Sequence, residues 1–242
     1  MTAELGSFFV DSDQPPLSPD DADVVRRFHE LYYRRWLRQG GDTIRISWFG
    51  YEVLKCPLDL WVYQELLART QPDVVIETGT FAGGSALFIA MALDRIGRGR
   101  VISVDIEARP NLPRHPRIEY ITGSSTGSAV VADVRRAVGS GRAMVILDSD
   151  HHAPYVYAEL VEYAPLVRPG DYLIVEDTDV DAIPVRPEFG AGPMAAVDRF
   201  LSDYADFSAD RRCERFLMTL NPGGFLRRND APTRVVATPR SI

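Results

Sequence analysis

Four apolar runs of this chain end in acids, and the spacing of those acids sets the chemistry available to it. Glu77 closes VVIE and Asp105 closes VISVD, while Asp148 and Asp150 close MVILDSD and Glu176 and Asp177 close YLIVED. Carboxylates gathered at one rim repel each other and lose hydration unless a cation joins them. A ligand set made only of oxygen suits a hard divalent ion, Mg²⁺ first, then Mn²⁺ or Ca²⁺. Asp148, Asp150, Glu176 and Asp177 are therefore read as a metal rim, against the plainer reading that each caps the helix after it. His151 and His152 adjoin the rim, where a neutral imidazole can act as a general base.

A second constellation lies in VVIETGTFAGGSALFIA, residues 74–90. Its glycines fall at 79, 83 and 84, so the turn is not G-x-G-x-x-G. A dinucleotide turn offers backbone amides to a pyrophosphate, and Glu77 beside it would repel that group. A sulfonium ligand carrying an ammonium group reverses the preference. Glu77 and the backbone of Gly79 suit the amino-acid end of S-adenosylmethionine, and Asp105, at the end of the next strand, suits a ribose diol. Gly123, Ser124 and Ser125 in ITGSSTG would let a nucleoside approach the backbone, although an ordinary capped turn reads the same way. A cation that acidifies a substrate hydroxyl, next to a base that takes its proton, gives an alkoxide able to attack the sulfonium methyl. The predicted chemistry is O-methyl transfer.

The elements that must position these residues alternate. Strands are predicted at VVIET, VISVDI, IEYITG, MVILDSD and YLIVEDT, short and β-branched as in a parallel sheet buried on both faces. Helices are predicted between them at GGSALFIAMALDRIG, SSTGSAVVADVRRAVG and PYVYAELVEYAPLV, with another at GPMAAVDRFLSDY. An antiparallel strand pair is expected in RFLMTLNPGGFLRR, turning at NPGG. Upstream, SPDDADVVRRFHELYYRRWLRQ reads as a helix with Ser18 as its cap, stopped by Gly40 and Gly41. TIRISWFG reads as a short extended segment. PLDLWVYQELLART reads as a helix with Leu58, Trp61, Val62, Leu66 and Leu67 on its inner side and Asp59 and Glu65 left for water or function. In an open parallel sheet ligands bind beyond the carboxyl ends of the strands, which is where the acids stand.

Composition narrows the classes. The 242 residues suffice for one substantial α/β domain. A net charge of −7 argues against a nucleic-acid surface, and YYRRWLRQ is too short a basic cluster to supply one. No run is apolar enough for a membrane span and the N-terminus does not read as a secretory signal, so a cytoplasmic protein is expected. Cys56 and Cys213 have no metal or redox spacing and are read as buried thiols.

Taken together, KCPLDLWVYQELL, PDVVIETGTFAGGSALFIA, ILDSDHH, LIVEDT and NPGGFLRR resemble the cephalosporin hydroxylase family, a branch of the class I methyltransferase fold with rhamnosyl O-methyltransferase-like members. The resemblance spans roughly residues 40 to 228. It implies a mostly parallel, seven-stranded Rossmann-like sheet with helices on both faces, S-adenosylmethionine, a Mg²⁺ site and a homo-oligomer. Residues 1–45 are then an N-terminal arm and helix serving as lid or oligomer contact, and 46–242 the Rossmann-like methyltransferase domain.

Carried over by position, the cofactor site comprises Glu77, Gly79, Thr80, Phe81, Gly83, Gly84, Ser85, Asp105, Ile106, Gly123, Ser124 and Asp148. The metal ligands are Glu176 and Asp177 with one aspartate of DSD. Asp150 is the assigned ligand, with Asp148 beside the cofactor or as a second ligand, and His151 is the candidate base. The expected acceptor is a hydroxyl of a small natural product or sugar. The alternatives are a β-lactam-tailoring role of the hydroxylase type, a catalytically silent cofactor-binding subunit, and a nicotinamide-dependent oxidoreductase. No two-His-one-acid triad is legible to hold redox iron.

Overall fold

The computed structural model describes residues 16–36, 46–183 and 185–230. Gly40, Gly41, the arm before residue 16 and the domain boundary at 45 lie outside them. The described chain runs α1 (Pro19–Trp36), β1 (Ile46–Trp48), β2 (Tyr51–Val53), α2 (Pro57–Thr70), β3 (Val74–Thr78), α3 (Gly84–Ile96), β4 (Arg100–Asp105) and β5 (Ile118–Thr122). It continues with α4 (Ser128–Val138), β6 (Ala143–Leu147), α5 (Ala153–Tyr163), β7 (Tyr172–Val175), α6 (Asp179–Ala182), α7 (Pro193–Asp203), β8 (Phe207–Ala209) and β9 (Phe225–Arg228).

Seven strands form one sheet in the order β5-β4-β3-β6-β7-β9-β8. The first five are parallel, and β9 joins antiparallel to both β7 and β8. The chain travels outward from β3 to β5 and then returns to place β6 on the other side of β3, so the sheet reverses its order between β3 and β6. A crevice opens above the carboxyl ends at such a reversal. Alternation along each strand builds two cores. Val75, Val101, Met144, Ile146 and Ile174 pack under α2 and α3, while Ile76, Ile102, Val145, Leu147 and Val175 pack under α4, α5 and α7. Every residue of β3, β6 and β7 is buried; β6 and β7 are apolar throughout, and β3 is apolar up to the buried Glu77 and Thr78 at its end.

Two local expectations are corrected. NPGG is not a hairpin turn: β9 follows it, but its antiparallel partners are β7 and the earlier β8, and residues 215–220 form no strand. On α2, Leu58 and Trp61 are exposed, whereas Asp59 is buried together with Leu60, Val62, Tyr63, Leu66 and Leu67. Asp59 faces inward because it accepts the Leu220 N–H at 3.0 Å, tying α2 to the segment before β9. Burial pushes its carboxyl up to about 8.

The short segment at residue 46 is half of a hairpin, β1 pairing with β2 across Phe49 and Gly50, both at positive φ. α1 begins as expected, with Ser18 Oγ accepting the Asp21 N–H at 3.2 Å. It is anchored by buried His29, whose Nε2 lies 2.7 Å from Asp179 just beyond β7.

Candidate active site

At the reversal point the backbone of β3 turns sharply. Gly79 has φ 87°, and any side chain there would overlap the Asp148 carbonyl, so the β3 and β6 ends touch only because residue 79 is glycine. The Gly79 N–H still donates to Val104 O of β4 at 2.8 Å, and the turn closes with the Gly83 N–H donating to Thr80 O at 2.8 Å.

Above it lies a cavity of about 690 Å³. Of the residues singled out from the sequence, Gly79, Phe81, Asp105, Ile106, Gly123, Ser124, Ser125, Asp148, Asp150, His151, His152 and Asp177 line it. Glu77, Thr80, Ser85 and Glu176 are buried and are not among the lining residues, nor are Gly83 and Gly84, which shape the start of α3.

Asp105 accepts the N–H groups of Thr80 at 3.2 Å, Phe81 at 3.1 Å and Glu107 at 3.0 Å, with Arg109 Nε at 3.2 Å. Burial works to raise its pKa, but these donors outweigh it and hold the carboxyl below the usual range. A permanent anion thus stands at the edge of the cavity. Glu77 is fully buried one strand away, accepting from Ser103 Oγ at 2.9 Å. Burial pushes it up to about 7, opposed by Lys55, Ser85 and Ser103. Its Oε1 has no hydrogen-bond partner among the described residues, so it can still receive a donor.

At the other end, Asp148, His151 and Asp177 each offer one ligand atom within 4.8 Å of the others. His151 Nε2 lies 3.2 Å from Asp177 Oδ2. Asp177 sits at φ 54°, uncommon for a non-glycine residue, with its N–H donated to Asn221 Oδ1 at 2.8 Å. Desolvation pushes Asp148 up to about 7 and Asp177 up to about 6, each opposed by a nearby cation, Lys55 or His151. Burial lowers the His151 pKa, but Asp177, Asp148 and Glu176 outweigh it and raise the imidazole above its ordinary value. Carboxylates pushed up beside an imidazole pushed up describe a site short of positive charge, and a divalent cation fits that donor set.

The structure groups these acids differently from the sequence expectation. Of the expected ligands Asp150, Glu176 and Asp177, only Asp177 belongs to this group. Asp150 turns to its own turn, accepting the His152 N–H at 2.8 Å with His152 Nδ1 at 2.7 Å. Glu176 is buried and accepts from Lys55 Nζ at 2.7 Å and from the Tyr63 hydroxyl.

Lys55 was missed by motif reasoning, although it stands inside KCPLDLWVYQELL. It is 1% exposed and donates to both Asp148 and Glu176 at 2.7 Å, so one ammonium from the β2–α2 connection bridges the ends of β6 and β7. Burial depresses its pKa, yet Asp148, Glu176 and Glu77 outweigh that and keep it raised. The only available signal was a lysine in an apolar stretch before a helix, which carries no partner information. Tyr155 and Phe189, both lining the cavity, were missed for the same reason.

A mostly parallel seven-stranded sheet with an antiparallel β8–β9 edge, opening at the β3/β6 reversal, is the class I methyltransferase fold. Solved structures of CmcI share it: an apo form aligns with TM-score 0.61 at 22% identity over 91% of this chain and 88% of that one. A form with Mg and S-adenosylmethionine aligns with TM-score 0.60 at 21% identity over 90% and 87%. The Rhamnosyl O-methyltransferase/CmcI family model matches residues 42–229. A Rhamnosyl O-methyltransferase of Mycobacterium leprae is 37% identical over 215 residues, 86% of this chain and 91% of the relative. Its counterpart in Mycobacterium tuberculosis H37Rv is 36% identical over 221 residues, 87% of each. This chain belongs to the Rhamnosyl O-methyltransferase/CmcI family. Its reaction class is that of an S-adenosylmethionine-dependent O-methyltransferase.

Proposed function

We propose that this enzyme methylates a hydroxyl of a sugar or sugar-bearing small natural product, using S-adenosylmethionine and a Mg²⁺ ion. The observation that carries the reading is that the Gly79–Asp105 turn and the Asp148–His151–Asp177 group open onto one cavity. The Rhamnosyl O-methyltransferase relatives support the sugar acceptor.

In this reading Asp105 receives the ribose hydroxyls and Glu77 neutralises the ammonium end of the cofactor from below, with Gly79, Thr80, Phe81, Gly83, Gly84 and Ser85 forming the turn. Ile106, Gly123 and Ser124 flank the nucleoside. Asp148 and Asp177 would hold Mg²⁺; Asp150 would join only if His152 releases it, and Lys55, which donates to both Asp148 and Glu176, would have to yield to the ion at either. Bound Mg²⁺ supplies a Lewis acid that lowers the pKa of the acceptor hydroxyl. His151, beside Asp177, would take the hydroxyl proton once bound Mg²⁺ offsets the carboxylates that otherwise hold its pKa up, and the cofactor would supply the methyl group to that oxygen. We place the enzyme in the cytoplasm. No described helix is long and apolar enough to cross a membrane.

The test is calorimetric titration of S-adenosylmethionine and, separately, of Mg²⁺ into wild type, Glu77→Ala, Asp148→Asn, Asp150→Asn and Asp177→Asn. The expected result is loss of cofactor binding in Glu77→Ala, and loss of Mg²⁺ binding in Asp177→Asn and Asp148→Asn. Loss of Mg²⁺ in Asp150→Asn with Asp148→Asn unaffected would move the metal to the other aspartate. Absence of any cofactor binding by wild type would sink the reading.

A further inference from the structure

Behind the cavity wall lies a carboxylate that the reaction does not use. Glu159 on α5 is fully buried, and its Oε1 accepts from Ser125 Oγ at 2.5 Å and from Ser149 Oγ at 2.8 Å. Ser125 follows β5 and Ser149 follows β6, so one carboxylate straps together the two loops that flank the nucleoside and the metal-side group. Ser124, Ser125, Ser149 and Tyr155 all line the cavity, whereas Glu159 does not. The Tyr155 hydroxyl lies 3.0 Å from both Ser124 Oγ and Ser125 Oγ.

Counting protons gives this network a direction. An ionised carboxylate only accepts, and each serine hydroxyl has one proton. Ser125 and Ser149 therefore spend their only protons on Glu159, and any further hydrogen bond they make toward the cavity must use a lone pair. Tyr155 then donates its one hydroxyl hydrogen to Ser125 or to Ser124. Burial pushes the Glu159 carboxyl up only to about 6, opposed by Ser125, Ser149 and Thr78, so it is ionised at neutral pH.

We infer that Glu159 is a positioning residue that fixes Ser125 and Ser149 as hydrogen-bond acceptors toward the cavity, making it select a ligand edge that donates N–H or O–H there. The inference rests on the reading of the cavity as the S-adenosylmethionine site, a ligand whose amino and ribose hydroxyl groups supply such donors. Glu159→Met removes both acceptor oxygens at similar volume, so the Ser125 and Ser149 protons are free to turn outward. A cavity tuned to a donor edge then meets it with donors.

The experiment measures S-adenosylhomocysteine affinity, Mg²⁺ affinity and thermal midpoint for wild type, Glu159→Met, Ser125→Ala and the double variant. Expected are S-adenosylhomocysteine binding weaker by about tenfold in each single variant, on the scale of one buried hydrogen bond, and no further weakening in the double variant, because both changes remove the same acceptor. Mg²⁺ affinity should stay near wild type, and the midpoint should fall by no more than the loss of one or two buried hydrogen bonds allows. Unchanged S-adenosylhomocysteine affinity, additive losses in the double variant, or a parallel fall in Mg²⁺ affinity and midpoint would overturn the inference, the last by making Glu159 a structural strut only. Should Glu159→Met not fold, Ser125→Ala and Ser149→Ala test the same acceptors with the carboxylate intact: tenfold weakening supports the role and wild-type affinity removes it. Wild type that does not bind S-adenosylhomocysteine overturns the cofactor reading itself, a result distinct from any of these.

Discussion

Lys55 holds an ammonium among Asp148, Glu176 and Glu77 with almost no exposure to water. A charge so placed is tolerated only because its partners are fixed at hydrogen-bond distance, and removing it leaves carboxylates buried without a counter-charge. Lys55→Met should therefore cost about 3–5 kcal/mol of stability near neutral pH, the range for breaking a buried pair from one side. Urea denaturation of the metal-free protein measures it, and a loss below about 1 kcal/mol would mean the pair behaves like a surface ion pair. The site acids themselves were legible because they end apolar runs. Their partners were not, since nothing in the letters K55 or E159 says which carboxylate or hydroxyl lies across the fold.

At the scale of elements, the β3–α3 turn determines whether the two halves of the site can meet. Gly79 has both a left-handed φ and no space for a Cβ against the Asp148 backbone. Gly79→Ala must either push the β6 end away or rebuild the turn. It should lower the thermal midpoint and abolish S-adenosylmethionine binding even though no ligand-contacting side chain is lost; a variant with wild-type affinity would show that the close approach of β3 and β6 is dispensable. The five parallel strands and the helices between them were predictable from short β-branched runs alternating with helical periodicity. The antiparallel edge was assigned wrongly because NPGG has turn composition, while the true partner of β9, the three-residue β8, is too short to give a periodic signal. The inner face of α2 was misread for a related reason: Asp59 is inside because Leu220, far along the chain, offers it an N–H, and Trp61 is exposed beside Glu65, to which its ring N–H donates at 3.1 Å.

At the scale of the whole molecule, α1 stands apart from the sheet, held by His29, Tyr33 and their neighbours while Val24, Phe28 and Leu31 remain exposed on it. We expect these three to be covered by a second copy of the chain, in line with the homo-oligomer implied by the family resemblance. Light scattering coupled to size exclusion should give a mass at least twice 27.0 kDa for wild type. A monomer at micromolar concentration would leave α1 without that role.

What the sequence determined by itself was local or periodic: the parallel α/β sheet, the glycine turn, and the acids at the strand ends, each encoded within a few residues of where it acts. Tertiary structure alone decided how those acids are shared out. It gave Glu176 to Lys55 and Tyr63, Asp150 to His152, and left Asp148, His151 and Asp177 together. The reason is physical: which buried carboxylate meets which cation depends on where strands distant in sequence end in space, and in a low-dielectric interior a hydrogen bond's length is enough to decide the pairing.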